Sequence, residues 1–134
     1  EADRDPQALG FLMGSFVSVH EDREIARRAA REAICRLFSP LPHPYYEHML
    51  REQGFSAAAD AALKHVPEGN IQKAAEAMTD EVVDTVTIAG TPEECRRRLI
   101  DYEGVVDEVI FVNVSYSSGA GSDMLGGYRK LMQL

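Results

Sequence analysis

The chain has 134 residues, enough for one ordinary domain. Its hydrophobic fraction of 45% and charged fraction of 27% are those of a globular protein, which excludes disorder along the whole length. The formal net charge of -8 gives no electrostatic reason to dock on a nucleic acid backbone, and the sequence lacks the basic amphipathic face of a membrane-surface helix.

No apolar run approaches the roughly 20 residues of a membrane span. Glu1-Ala2-Asp3-Arg4-Asp5-Pro6 is polar and acidic, unlike a secretory signal. A first residue of Glu rather than Met is read as a start inside a longer gene product. Cys35 and Cys95 form neither a CxxC pair nor a metal-ligand spacing. They are expected as small buried side chains in a reducing, cytoplasmic compartment, with no metal site.

Residues 11–19, Phe-Leu-Met-Gly-Ser-Phe-Val-Ser-Val, are almost continuously apolar, as in a parallel strand covered on both faces. His20-Glu21-Asp22 then opens a helical stretch expected over 22–85. Its first helix places Ile25, Ala26, Ala29, Ala30, Ala33, Ile34, Leu37 and Phe38 on one face. Arg23, Glu24, Arg27, Arg28, Arg31, Glu32 and Arg36 fall on the other, with Glu24–Arg28 and Glu32–Arg36 at favourable spacing. Pro40, Pro42 and Pro44 end it. Further short helices are expected from Tyr45 to a C-cap at Gly54, from an N-cap at Ser56, from Asn70 and from Thr79.

Val86-Thr87-Ile88-Ala89 reads as a brief extended link. Gly90-Thr91-Pro92-Glu93-Glu94 is the sharpest local signal: Thr91 is the N-cap, Pro92 sits at N1, and Glu94 at N3 closes a capping box. A helix over 92–103 follows, with Arg96, Arg97 and Arg98 mostly outside. A second apolar strand is expected over 108–114, then a loop rich in glycine and serine, then a terminal helix over 124–133.

Two buried-type parallel strands joined by a long helical crossover are not a stable sheet alone. The order strand, helices, strand, helix is what the end of a βα-repeat barrel gives. The expected fold class is α/β, the C-terminal portion of a (β/α) TIM-type barrel, mostly helical.

Four segments, in order and spacing, resemble the C-terminal part of the luciferase-like monooxygenase family. The first is Val17-Ser18-Val19-His20-Glu21-Asp22-Arg23-Glu24-Ile25-Ala26-Arg27. The second comprises Tyr45, Tyr46 and Gly54-Phe55. The third is Met78-Thr79-Asp80-Glu81-Val82-Val83-Asp84 followed by Ile88-Ala89-Gly90-Thr91-Pro92-Glu93-Glu94-Cys95. The fourth is Asp107-Glu108-Val109-Ile110. The third leans towards the branch that uses the deazaflavin coenzyme F-420 and includes methylenetetrahydromethanopterin reductases. Glu103-Gly104-Val105-Val106 departs from the alanine-glycine that relatives often carry there.

The resemblance implies a barrel oxidoreductase acting on a small-molecule substrate with coenzyme F-420 or FMN, and a homodimer. In such barrels the site lies at the carboxyl ends of the strands. Here that selects Ser18, His20, Asn113, Ser115 and Tyr116 as candidate cofactor contacts. His20 reads as a proton donor or as an exposed junction residue. Asn113 reads as a ligand contact or as a tie for the next loop. Catalytic residues are expected upstream of residue 1, so the chain alone is expected to be inactive. A non-catalytic helical interaction domain is the competing reading.

Overall fold

The computed structural model describes residues 9–39, 44–115 and 124–134. Strand β1 runs Leu12–Val19 and leads into helix α1, Arg23–Arg36. Four short helices follow: α2 (Pro44–Glu52), α3 (Ser56–His65), α4 (Ile71–Glu76) and α5 (Asp80–Val86). Strand β2 (Thr87–Gly90), helix α6 (Pro92–Ile100), strand β3 (Glu108–Asn113) and helix α7 (Met124–Leu131) complete the order.

The sheet has three parallel strands in the order β2-β1-β3. The link at 86–89 is thus a strand in its own right, which corrects the expectation of two. Its four residues are too few to show a strand pattern, and pairing with the buried end of β1 makes it one. In a sequentially closed barrel β2 would separate β1 from β3. Here β1 is central, Val17 aligning with both Ile88 and Asn113.

Side chains aligned across a parallel sheet share a face. One face carries Val17, Val19, Ile88 and Phe111, which pack with Cys95, Leu99 and Tyr102 near α6 and with Leu131 of α7. The opposite face receives the core of α1 to α5, built around Phe38, Ile34, Leu50 and Met78. Helices therefore cover both faces. That cover stops half-way along the strands: Leu12, Ile110 and Val112 are exposed, so the expectation of strands buried throughout holds only at their carboxyl ends.

Helix α1 lies close to the sheet because its inner positions are small: Ala26, Ala29, Ala30 and Ala33. Asp22 caps it, its carboxylate accepting from the Glu24 and Ile25 amides. The Glu32–Arg36 pair forms at 3.4 Å, while Glu24 turns to Arg23 at 3.2 Å. Helix α3 begins after Phe55, and Ser56 is its first residue rather than its cap. Gly54, at φ +87°, ends α2 as a C-cap, with the Phe55 amide donating to the Leu50 carbonyl. Helix α6 stops at Ile100, short of 103, and the chain turns through Gly104 at φ +75°.

Arg27, expected on the polar face of α1 away from its apolar stripe, is instead buried. Its side chain is 3% exposed and holds Asp80 at 3.0 Å and Asp84 at 2.7 Å. It also donates to the Asp80 and Ala89 carbonyls. Arg31 reinforces the cluster through Asp80 and the Met78 carbonyl. One guanidinium thereby joins α1, α5 and β2.

Replacing Arg27 with Ala is expected to cost about 3 kcal/mol or more, read as a drop in the urea midpoint. Hydrogen bonding from Arg27, aided by the charges of Arg31 and Arg23, holds the Asp80 carboxyl below its usual range. The folded state therefore binds fewer protons than the unfolded one. This contribution is complete above the ordinary carboxylate pKa near 4 and is lost as pH falls through the lowered folded value. An acid titration of the R27A protein should show a shallower loss of stability below pH ~4 than the parent.

Candidate functional site

Parallel strands bring their carboxyl ends to one edge of the sheet. Here that edge holds Val19-His20, Gly90-Thr91 and Asn113 to Ser115. The crossover from β1 to β2 and the one from β2 back past β1 to β3 run in opposite directions, so the switch point falls between β1 and β3. Open α/β sheets bind ligands beside such a point.

Two backbone ties close this rim. The His20 amide donates to the Gly90 carbonyl at 3.2 Å. The Val19 amide donates to Ser115 Oγ at 3.0 Å. Ser115 in turn donates its amide to Asn113 Oδ1 at 3.0 Å. Asn113 and Ser115 thus fix the turn leaving β3.

The candidate residues do not converge. Ser18 aligns with Ala89 and is fully buried, its Oγ lacking a hydrogen-bond partner among the described residues. Asn113 aligns with Val17 and therefore faces the other side of the sheet. It is 4% exposed, and its Nδ2 also lacks a partner among the described residues. Gly127 of α7 packs directly on it: a Cβ there would lie 2.9 Å from Nδ2. His20 stays partly exposed at the rim, where its Nδ1 accepts from the Asp22 amide at 2.9 Å. That bond leaves Nε2 to carry the proton of the neutral ring. Tyr116 lies outside the described residues.

Sequence reasoning missed two features of this end. Lys130 of α7 reaches Glu21 at 3.5 Å and clamps α7 to the loop after β1. Glu94 folds over Gly90: an added Cβ would lie 2.5 Å from Glu94 Oε2 and would push that carboxylate aside. Glu94 accepts the Thr91 amide at 2.8 Å, completing the capping box read from sequence. That backbone bond, with further help from the Thr91 and Arg23 side chains, keeps its carboxyl below the usual range.

A cleft of about 740 Å³ lies along the outer edge of β2, between Arg23, Arg27, Glu94 and Arg98. Its charges are matched internally, with Arg23 on Glu94 at 3.1 Å and Arg27 on Asp84 at 2.7 Å. It offers no unopposed field for an anion. Among the described residues, no group of His, Cys, Asp and Glu could hold a metal ion. No helix of the described residues is long and apolar enough to cross a membrane. Both cysteines are free and buried, and burial pushes the thiols up to about 12 at Cys35 and about 11 at Cys95.

A three-stranded parallel sheet with helices on both faces defines the class as α/β. Residues 1–108 match the sequence model of the luciferase-like monooxygenases, and the chain belongs to that family. It is 29% identical over 100 residues to the 5,10-methylenetetrahydromethanopterin reductase of Archaeoglobus fulgidus. The match takes in 74% of this chain but only 30% of that reductase, so the chain spans under a third of its relative's length.

A flavin-type coenzyme needs a slot for a planar ring and donors for its phosphate. The described rim does not fit a whole coenzyme of this kind. Ser18 and Asn113 lie under helices on opposite faces, and Lys130 is held by Glu21.

Ser18→Ala removes an unpaired buried hydroxyl. It is expected to leave stability unchanged or raise it by about 1 kcal/mol, measured by urea denaturation. A loss of more than that would show a partner for Ser18 Oγ. Neither thiol should react with Ellman's reagent at pH 8 until denaturant is added.

Proposed function

We propose that this chain is part of an oxidoreductase that transfers a hydride between the deazaflavin coenzyme F-420 and a small organic substrate. The observation that carries this reading is the 100-residue match to a methylenetetrahydromethanopterin reductase, within a shared family. On this reading the ring and phosphate contacts come from polypeptide that the 30% overlap leaves out. The complete protein is a cytoplasmic homodimer, and the coenzyme supplies the redox chemistry; a (β/α) barrel would require β2 to lie between β1 and β3, unlike the order these residues adopt here. The present chain contributes the rim: His20, with Nε2 available at a strand end, and the ties through Asn113 and Ser115 that hold the turn after β3. Tyr116 follows directly on that turn.

Within the same family, FMN-dependent monooxygenation is the nearest alternative. A non-catalytic interaction module is the second reading, favoured by one observation: helices already pack on both faces of the sheet at its carboxyl ends, where a coenzyme would be expected.

Expression of the 134-residue chain and of the longer gene product, each followed by an absorbance spectrum, tests the proposal. The longer product should carry a deazaflavin spectrum or take up coenzyme F-420 stoichiometrically, and the short chain should do neither. A flavin spectrum would favour the monooxygenase branch. Stoichiometric uptake by the short chain would contradict the division of labour.

A further inference from the structure

Helix α7 lies directly on the turn that leaves β3. A Cβ at Gly127 would sit 2.9 Å from Asn113 Nδ2 and 3.4 Å from Ser115 Cβ. Glycine at this position lets the helix backbone close on both residues. Asn113 is buried beneath it, and its Nδ2 has no partner among the described residues. Its Oδ1 is used, accepting the Ser115 amide at 3.0 Å. The side chain is therefore half satisfied. The docked helix shuts water off from a donor and supplies no acceptor in its place.

The helix that does this is weak by construction. It has eight residues, and an isolated helix of that length does not hold in water. Gly126 and Gly127 stand in its middle, where glycine is a poorer helix former than any residue but proline. Its described anchors lie towards its carboxyl end. Leu131 is buried against Val17, Val19, Ile88 and Cys95. Lys130 meets Glu21 at 3.5 Å, in a pair whose acid is 75% exposed and which therefore contributes little. Arg96 donates to the Gln133 carbonyl at 2.9 Å, just beyond the helix. Strand β1, by contrast, is central in the sheet and paired on both sides.

We infer that α7 is a detachable cover. It undocks and melts while the sheet stays folded, and its release opens the Asn113 amide and the Ser115 side chain to solvent at the strand-end rim. Hydration of Nδ2 favours release, and burial of Leu131 favours closure. The opposition makes the opening local rather than global. This inference rests on the packing of α7 and is independent of the coenzyme proposed above.

Hydrogen exchange in the 134-residue chain, read by nuclear magnetic resonance, tests it. The amides of Tyr128 to Leu131 and the side-chain amide of Asn113 should share one opening. Their protection should be at least about a hundredfold below that of the β1 amides and unchanged by low urea. Gly127→Ala sets a methyl group against Asn113 Nδ2 and should lower α7 protection at least about tenfold, leaving β1 unchanged. Alanine is the better helix former, so that loss cannot come from a weaker helix. Lys130→Gln should lower the protection of α7 and of the Asn113 side chain by the same factor, about threefold. If G127A does not fold, the wild-type comparison and K130Q still decide. Three results would overturn the inference: equal protection of α7 and β1, fast exchange in α7 with the Asn113 side chain still protected, or a folded G127A protein whose α7 is protected as well as the parent's.

Discussion

A single buried guanidinium holds the architecture together. Arg27 sits on the alanine face of α1, where a long charged side chain is costly to desolvate. It remains because Asp80 and Asp84 approach it from α5, with the Asp80 and Ala89 carbonyls close by. Those four acceptors belong to the last helix of the insert and the strand it feeds. The cluster therefore fixes where the insert returns to the sheet, and so where β2 lies. Because β2 is only four residues long, hydrogen bonds to β1 alone would anchor it weakly.

With β2 set on one side of β1, the rest follows. The capping box at Gly90 to Glu94 turns the chain sharply into α6, which packs on the face opposite α1. The crossover then delivers β3 to the other side of β1, and α7 returns to cover the same face as α6. His20 and Ser115 tie the three strand ends into one rim. The same arrangement hides Ser18 and Asn113 beneath helices.

Much of this was legible in the sequence where the signal was local. Thr91, Pro92 and Glu94 satisfy orphan amides within one turn, so their spacing alone identifies a helix start. Asn70 and Thr79 cap as read, for the same reason, and Asp22, read only as part of the helix opening, caps α1. The family resemblance was legible in four ordered segments and stands in the match over residues 1–108. Distant relations were not legible. The partners of Arg27 lie 53 and 57 residues away, so its burial could not be told from the exposure of Arg28 beside it. Position at the strand ends placed Ser18 and Asn113 near the carboxyl edge of the sheet, but which face each takes depends on a register that only pairing reveals.

The family assignment and the sheet order carry different information. Membership among the luciferase-like monooxygenases speaks to ancestry and chemistry, whereas the order β2-β1-β3 describes how these residues pack among themselves. The most direct test of this packing is a set of backbone nuclear Overhauser contacts across the sheet in the 134-residue chain. The account predicts contacts joining Phe11–Leu12 to Glu108 and Phe16–Val17 to both Thr87–Ile88 and Val112–Asn113. Contacts joining Thr87–Gly90 directly to Glu108–Asn113, with none between β1 and β3, would contradict it.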